Sequence, residues 1–351
     1  MGGGDFLRPN VSLVKDTNSL SFYPLEPEPP YLTMTALEDD LTVSLSNPCQ
    51  YSLNGTDWNE LQVGEQTPAI NTGDMISFKA TGLVPNSSNG IGTFTVNKKF
   101  NLKGNVMSML FGDEGKNSFD LTGCDYAFYK LFYNCSTLQS VSKDFLPATT
   151  LAKDCYSGMF NGCTSLTKAP KLPATALDNY CYEAMFNGCT SLTKAPELPA
   201  TTLATYCYLS MFEGCTSLTQ APELPATTLA TYCYQYMFQN CTSLTTAPSI
   251  LPATTLTSNC YEAMFKNCTS LTKAPELPAT TLATYCYRSM FNGCTSLNYI
   301  KALFTTAPKL TYTSNWVNGV SSKGTFVKSK DATWNVTGVG GIPEGWTVET
   351  A

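Results

Sequence analysis

The chain has no histidine among its 351 residues. That absence removes the commonest general base, the Ser-His and Cys-His nucleophile pairs, and most transition-metal sites. Charge is scarce too: Asp, Glu, Lys and Arg make up 14%, the formal net charge is -6, and Lys and Arg nowhere cluster. A nucleic-acid partner calls for a basic stripe against its phosphates, so nucleic acid is excluded as a partner. No apolar run of about 18 residues offers a membrane span. The start, Met1-Gly2-Gly3-Gly4-Asp5-Phe6-Leu7-Arg8-Pro9, lacks the basic and apolar regions of a secretory signal, and Phe6 stands where myristoylation wants Ser or Thr. The expectation is a chain that is mature as written or that is not exported by that route. Cys-x-x-Cys, Gly-rich phosphate loops, a Ser nucleophile elbow and calcium loops are also missing, so neither a metal nor a cofactor is expected.

What the chain has is a recurring phrase, Cys-Tyr-x-x-Met-Phe-x-x-Cys-Thr-Ser-Leu-Thr-x-Ala-Pro-x-Leu-Pro-Ala-Thr-Thr-Leu. Its copies start at Cys155, Cys181, Cys207, Cys233, Cys260 and Cys286, a spacing of 26 residues with one 27-residue step. A period in this range means a solenoid, whose units bury their apolar faces only against their neighbours. A divergent first copy, Ala127-Phe128 to Leu138, brings the array to about seven coils, and the phrase stops at Leu297.

Within one coil, Cys181, Met185 and Cys189 stand four residues apart, which predicts a helix with these side chains and Phe186 facing inward and Asn187-Gly188 as its cap. Leu192 to Pro199 reads as a short strand-like segment ended by proline. Stacked coils would set these segments side by side about 4.8 Å apart, making each interior position a ladder of like residues. The fifteen Cys read as buried free thiols: a helix would hold the two of each coil about 12 Å apart, and parallel side chains in a ladder suit bridging poorly.

The rest of the chain is organised around this array. Residues 1–30 form an arm and a Pro-rich linker, in which Val11-Ser12-Leu13-Val14 and Leu20-Ser21-Phe22-Tyr23 read either as strands that pair outside the arm or as an extra strand of the next domain. Residues 31–115 show period-two runs at Leu32-Met34-Ala36, Leu41-Val43-Leu45, Tyr51-Leu53, Ile76-Phe78-Ala80, Phe94-Val96 and Phe100-Leu102, which predict a small antiparallel β-sandwich (Ig-like) with Trp58 in its core. Residues 116–300 are the repeat array. Residues 301–351, with Trp316, Trp334 and Trp346, read as a β-rich cap over the last coil. The fold class is therefore a repeat solenoid of short strands plus helices (α/β), preceded by a sandwich and followed by a cap.

The Met-Phe-x-x-Cys-x-x-Leu phrase at this period resembles the bacterial surface protein 26-residue repeat and the wider BspA-like, Treponema-type class of leucine-rich repeats. The resemblance covers about residues 127–297 and departs from the class in its Ala-Pro segment and longer Leu-Pro-Ala-Thr-Thr-Leu connection. It implies a leucine-rich repeat solenoid over residues 116–300, and adhesion and binding at bacterial surfaces. Repeat proteins with a sandwich in front also resemble ones carried by gut Bacteroidales and their phages.

Binding is then sought between the conspicuous residues. One stripe is Lys168, Lys194, Glu197, Glu223, Lys273 and Glu276, along the segment after each Leu. Another is Tyr180, Tyr206, Tyr232 and Tyr285, each just before the first Cys, with a second Tyr row just after it; one of the two rows must be partly exposed. The positions that vary most between copies include Gln235-Tyr236, Glu262-Ala263 and Arg288-Ser289, on the outer side. Asp39-Asp40 and Asp113-Glu114 stand in turn-like surroundings and read as solvated loops rather than acid/base pairs. The expected protein is non-enzymatic and extracellular, displayed on a bacterial cell or a phage virion, and binds a protein or glycan on a host or bacterial surface. One alternative is a phage virion component docked through residues 1–23 on a virion or envelope partner; another is a carbohydrate-active accessory protein.

Overall fold

The structure is a computed structural model that describes residues 11–16, 19–24 and 28–351. The docking role expected for residues 1–23 falls largely outside the described residues. Within the arm, strands β1 (Val11–Asp16) and β2 (Ser19–Pro24) pair with each other, antiparallel.

Seven short strands follow: β3 (Leu32–Ala36), β4 (Val43–Leu45), β5 (Cys49–Ser52), β6 (Asn59–Leu61), β7 (Met75–Lys79), β8 (Phe94–Val96) and β9 (Phe100–Lys103). Their alternating apolar residues put one face of each strand into a common core. β9, β3, β7, β5 and β6 form one antiparallel sheet and β4 pairs with β8 in another. Phe78 and Phe94 meet edge to face at 5.2 Å. Trp58 does not anchor this core. It is half-buried, with Tyr31 at its edge (4.8 Å) and the Lys79 ammonium 4.3 Å from its centroid, because the hairpin that carries it leaves the sheet at an exposed turn. Two single turns, α1 (Ser108–Phe111) and the 3-10 turn Gly112–Asn117, lead to the repeats.

The array begins on the sheet itself. β10 (Leu138–Val141), from the first coil, pairs in parallel with β9. Phe94 stacks on Phe132 at 5.2 Å, and Phe132 on Phe160 at 5.8 Å, so the aromatic core runs on from sheet to coils.

The expected helix of each coil is absent: no residue between Leu121 and Pro308 is helical. In the coil of Cys181, the N–H groups of Cys181, Glu183, Met185, Asn187 and Cys189 donate three residues back, closing consecutive tight turns. The alternate N–H groups of Tyr180, Tyr182, Ala184, Phe186 and Gly188 donate to carbonyls of Thr205, Cys207, Leu209, Met211 and Glu213 in the next coil, at 2.8–3.1 Å. Tyr180, Ala184 and Gly188 have φ of +57, +48 and +71°, a left-handed residue every fourth position. An α-helix tolerates no such residue and sends each N–H four residues back within the same segment. The ribbon instead places residues in pairs, two in and two out: Cys181 and Tyr182 in, Glu183 and Ala184 toward the surface, Met185 and Phe186 in.

Regular strands are scarce inside the array for a local reason. Pro170, Pro196, Pro222, Pro248 and Pro275 each remove a ladder donor, so the middle coils show isolated parallel bridges such as Gln220 with Thr246 and Thr202 with Thr228. Where the Ala-Pro is missing, full strands form: β10 at the start and β11 (Tyr299–Ala302) at the end.

Interior ladders hold the coils together. Phe160, Phe186, Phe212, Phe238, Phe265 and Phe291 stack at 5.5–5.8 Å, and the Tyr row from Tyr156 to Tyr287 at 5.6–6.0 Å. All fifteen Cys are free, and all but Cys124 are buried. The tail continues the architecture although its sequence does not continue the phrase. After α2 (Leu310–Thr313), the N–H groups of Ser289, Phe291 and Gly293 donate to Ser314, Trp316 and Asn318, and Asn315 and Gly319 repeat the left-handed spacing. β12 (Thr325–Lys328) and β13 (Thr347–Thr350) extend β11 as a parallel sheet. Trp316, Trp334 and Trp346 are buried, and each indole N–H is bonded to a backbone carbonyl.

Candidate binding surface

The prolines that break the ladder also shape the surface. Pro fixes φ and lacks a donor, so Ala195-Pro196-Glu197-Leu198-Pro199 turns Leu198 into the core and leaves the two prolines on the outside. Repetition in neighbouring coils makes rows. A groove of about 490 Å³ lies between the coils of Lys194 and Gln220, lined by Pro196, Pro199, Pro222 and Pro225 with Glu197 and Glu223. A second concavity of about 370 Å³ adjoins it toward the preceding coil, lined by Lys168, Pro170, Lys171, Pro173, Lys194 and Pro196. Lys194, Pro196, Glu197 and Pro199 line both, so the two form one trough over three coils.

The trough is polar along its length. Lys168 and Lys171 stand at one end and Lys194 shares the middle coil with Glu197; none of the three lysines has an ion-pair partner among the described residues. Glu223 stands at the other end, where it accepts from the Ser249 N–H at 3.1 Å and hydroxyl at 3.0 Å. Four of the ten residues expected from sequence thus meet in one place. Lys273 and Glu276 continue the row two coils on but are engaged: Lys273 lies 5.2 Å from the Tyr299 ring centroid, and Glu276 pairs with Lys301 at 3.0 Å.

Of the two Tyr rows, the one after the Cys is inside, 1% exposed at each position. The row before it is half-exposed, as the left-handed turn position requires. Tyr180, Tyr206 and Tyr232 stack face to face at 4.7 and 4.5 Å, and burial against neighbours raises the pKa of Tyr180 and of Tyr206. Asn259 interrupts the column, and Tyr285 instead carries the Arg288 guanidinium 4.7 Å from its centroid. None of these Tyr lines the trough, and no hydrogen bond, ion pair or ring contact among the described residues joins them to the Lys/Glu row.

The acidic pairs considered for acid/base chemistry do not converge. Asp39 accepts the Thr72 N–H and hydroxyl, which lower its pKa, and Asp113 accepts Lys79 and Tyr31. Sequence reasoning missed the walls of the trough. As strand ends the prolines give no hint of a wall, although the second proline of each coil, Pro173, Pro199 and Pro225, recurs at the coil period as an exposed row.

Stacked coils with Leu, Phe and Cys ladders inside and a grooved polar outer wall define a leucine-rich repeat solenoid. The model of the BspA type leucine rich repeat region matches six copies, over residues 124–245 and 183–312, together more than half of the chain. The chain belongs to that family. Neither a curated protein nor a solved structure matches it. No helix among the described residues is long and apolar enough to cross a membrane.

Proposed function

We propose that this is a non-enzymatic recognition protein, displayed outside a bacterial cell or a phage particle, that grips an extended segment of a cell-surface protein in the proline-lined trough. The observation that carries this is the change of charge along the trough over three coils, from Lys168 and Lys171 through the adjacent Lys194 and Glu197 to Glu223. A rigid, proline-walled channel loses little entropy on binding, and its separated charges favour one orientation of a segment with acidic residues at one end and basic residues at the other. The absence of histidine and the dispersed carboxylates support a binding role without chemistry.

The test is binding of the full chain to whole bacteria and host cells, before and after protease or glycosidase treatment, with the triple variant Lys168→Glu, Lys171→Glu, Lys194→Glu alongside. Protease-sensitive binding that falls at least tenfold in the variant supports the reading. Binding that survives protease, or that the variant leaves unchanged, overturns it.

A further inference from the structure

A different feature stands at the far end of the array, on the outer side of the turn ribbon. There the variable pairs of four successive coils stack: the Tyr236 N–H donates to Glu262, the Ala263 N–H to Arg288 and the Ser289 N–H to Ser314, at 2.8–2.9 Å. These backbone links bring side chains that vary from copy to copy into one cluster.

Glu262 is its centre, a carboxylate only 2% exposed. A buried carboxylate is stable only when its oxygens are fully bonded. One oxygen accepts the Gln235 amide at 2.9 Å and the Asn259 amide; the other accepts Arg288 Nε at 2.7 Å, a second guanidinium N–H, and the Tyr236 hydroxyl at 3.3 Å. Arg288 is therefore held by Glu262 through two nitrogens and by the Tyr285 ring from one side, while its side chain stays 40% exposed. The fixed guanidinium keeps donors to spare, since Glu262 takes only part of its five N–H groups.

Those donors border a concavity of about 350 Å³ lined by Tyr236, Lys266, Arg288, Ser289, Ser314 and Asn315. Lys266 has no ion-pair partner among the described residues. Two cations against one carboxylate leave the concavity with a net positive charge. Apart from Ala263 and the Glu262 carboxylate, which is already bonded to Arg288, its lining consists of hydroxyl, amide and cationic groups. The volume lies at the small end of the range for small-molecule sites, about 300–1,000 Å³.

We infer that this concavity is a binding site for an acidic sugar residue of the hexuronate class, with the sugar carboxylate between Lys266 and Arg288 and its hydroxyls on Ser289, Ser314 and Asn315. A carboxylate suits a clamped guanidinium, because planar forks bond carboxylates in a defined orientation. The polar lining favours a polyhydroxylated ring over an apolar body. The site shares no lining residue with the trough and stands or falls apart from it.

The experiment is titration of the full chain with glucuronate and galacturonate, with methyl glucoside and inorganic phosphate as comparison ligands, read by calorimetry and ligand-observed NMR. Hexuronate binding is expected, with methyl glucoside silent and phosphate at least tenfold weaker. Lys266→Met should weaken hexuronate binding about tenfold. This variant keeps the fold testable, because Lys266 has no ion-pair partner, whereas Arg288→Ala would strand the buried Glu262. The trough triple variant should bind hexuronate as the native chain does. No hexuronate binding at millimolar concentration, equal binding of methyl glucoside or of phosphate, or an unchanged affinity in Lys266→Met overturns the assignment.

Discussion

The thiol of Cys189 donates to the backbone carbonyl of Phe160 in the preceding coil, at 3.2 Å, and that same carbonyl accepts the N–H of Cys163. Both lone pairs of a buried carbonyl are thus used, one within a coil and one between coils. The relation recurs for Cys215 with Phe186, Cys241 with Phe212, Cys268 with Phe238 and Cys294 with Phe265, at 2.9–3.1 Å. The first Cys of each coil has no such contact; Cys207 comes only to 4.0 Å from the Cys233 carbonyl. The phrase therefore contains two kinds of cysteine. Replacing Cys215 by Val keeps an apolar side chain but removes a donor, and should cost about 1 kcal/mol more than Cys207→Val. Paired denaturation curves of the two variants check this, and equal losses would remove the role assigned to the second row.

Burial should also make the protein sensitive to alkali. It pushes the thiols of Cys49, Cys207, Cys286 and Cys294 up to about 12. An unfolded thiol titrates near about 8.5. Between these values the unfolded chain has lost protons that the folded chain still holds, so stability is complete below about pH 8.5 and falls as pH rises toward 12. Thermal midpoints should be level from pH 7 to 8 and drop steeply above pH 9. Thiol reagents should find few of the fifteen Cys until the chain is denatured.

The interior Tyr row holds an avoidable cost. The hydroxyls of Tyr156 and Tyr182 are buried without a hydrogen-bond partner. An unsatisfied buried hydroxyl costs about 1–3 kcal/mol, so Tyr182→Phe should stabilise the fold by about 1 kcal/mol and leave the stack intact. A lower melting temperature in that variant would mean that the hydroxyl is satisfied after all.

Much of this was legible in the sequence, and the parts that were not share a cause. The buried ladders of Cys, Met, Phe and Leu follow from the 26-residue spacing, and the six period-two runs from Leu32 to Leu102 coincide with strands. The helix did not follow. Cys181, Met185 and Cys189 line up at a spacing of four on a helix and on a ribbon of consecutive turns alike. The distinguishing positions are the left-handed ones, and of Tyr180, Ala184 and Gly188 only the glycine advertises its conformation. The trough is half legible: charge marks Lys168, Lys194, Glu197 and Glu223, whereas its walls follow only from the way Ala-Pro breaks the ladder. The Glu262–Arg288 cluster joins positions 26 residues apart that match no repeat consensus, so only the stacking register brings it into view.

That left-handed ladder makes the sharpest prediction about the fold. Ala184 sits at φ +48°, where a Cβ costs about 1–2 kcal/mol and glycine costs nothing sterically, so Ala184→Gly should stabilise by about 0.5–1 kcal/mol after its entropy loss. The reverse change separates two environments. At Gly188 an added Cβ meets nothing closer than the Gly162 Cα at 3.7 Å, so Gly188→Ala should cost only the backbone strain, about 1–2 kcal/mol. At Gly293 the added Cβ runs into the Asn267 side-chain oxygen of the preceding coil, and that oxygen must move before the coils can stack. Gly293→Ala should therefore destabilise more than Gly188→Ala, although both glycines occupy the same place in the repeat. Chemical denaturation of the three variants gives the order, with Ala184→Gly above native and Gly293→Ala lowest; a helical segment would reverse it, because alanine is the better helix former.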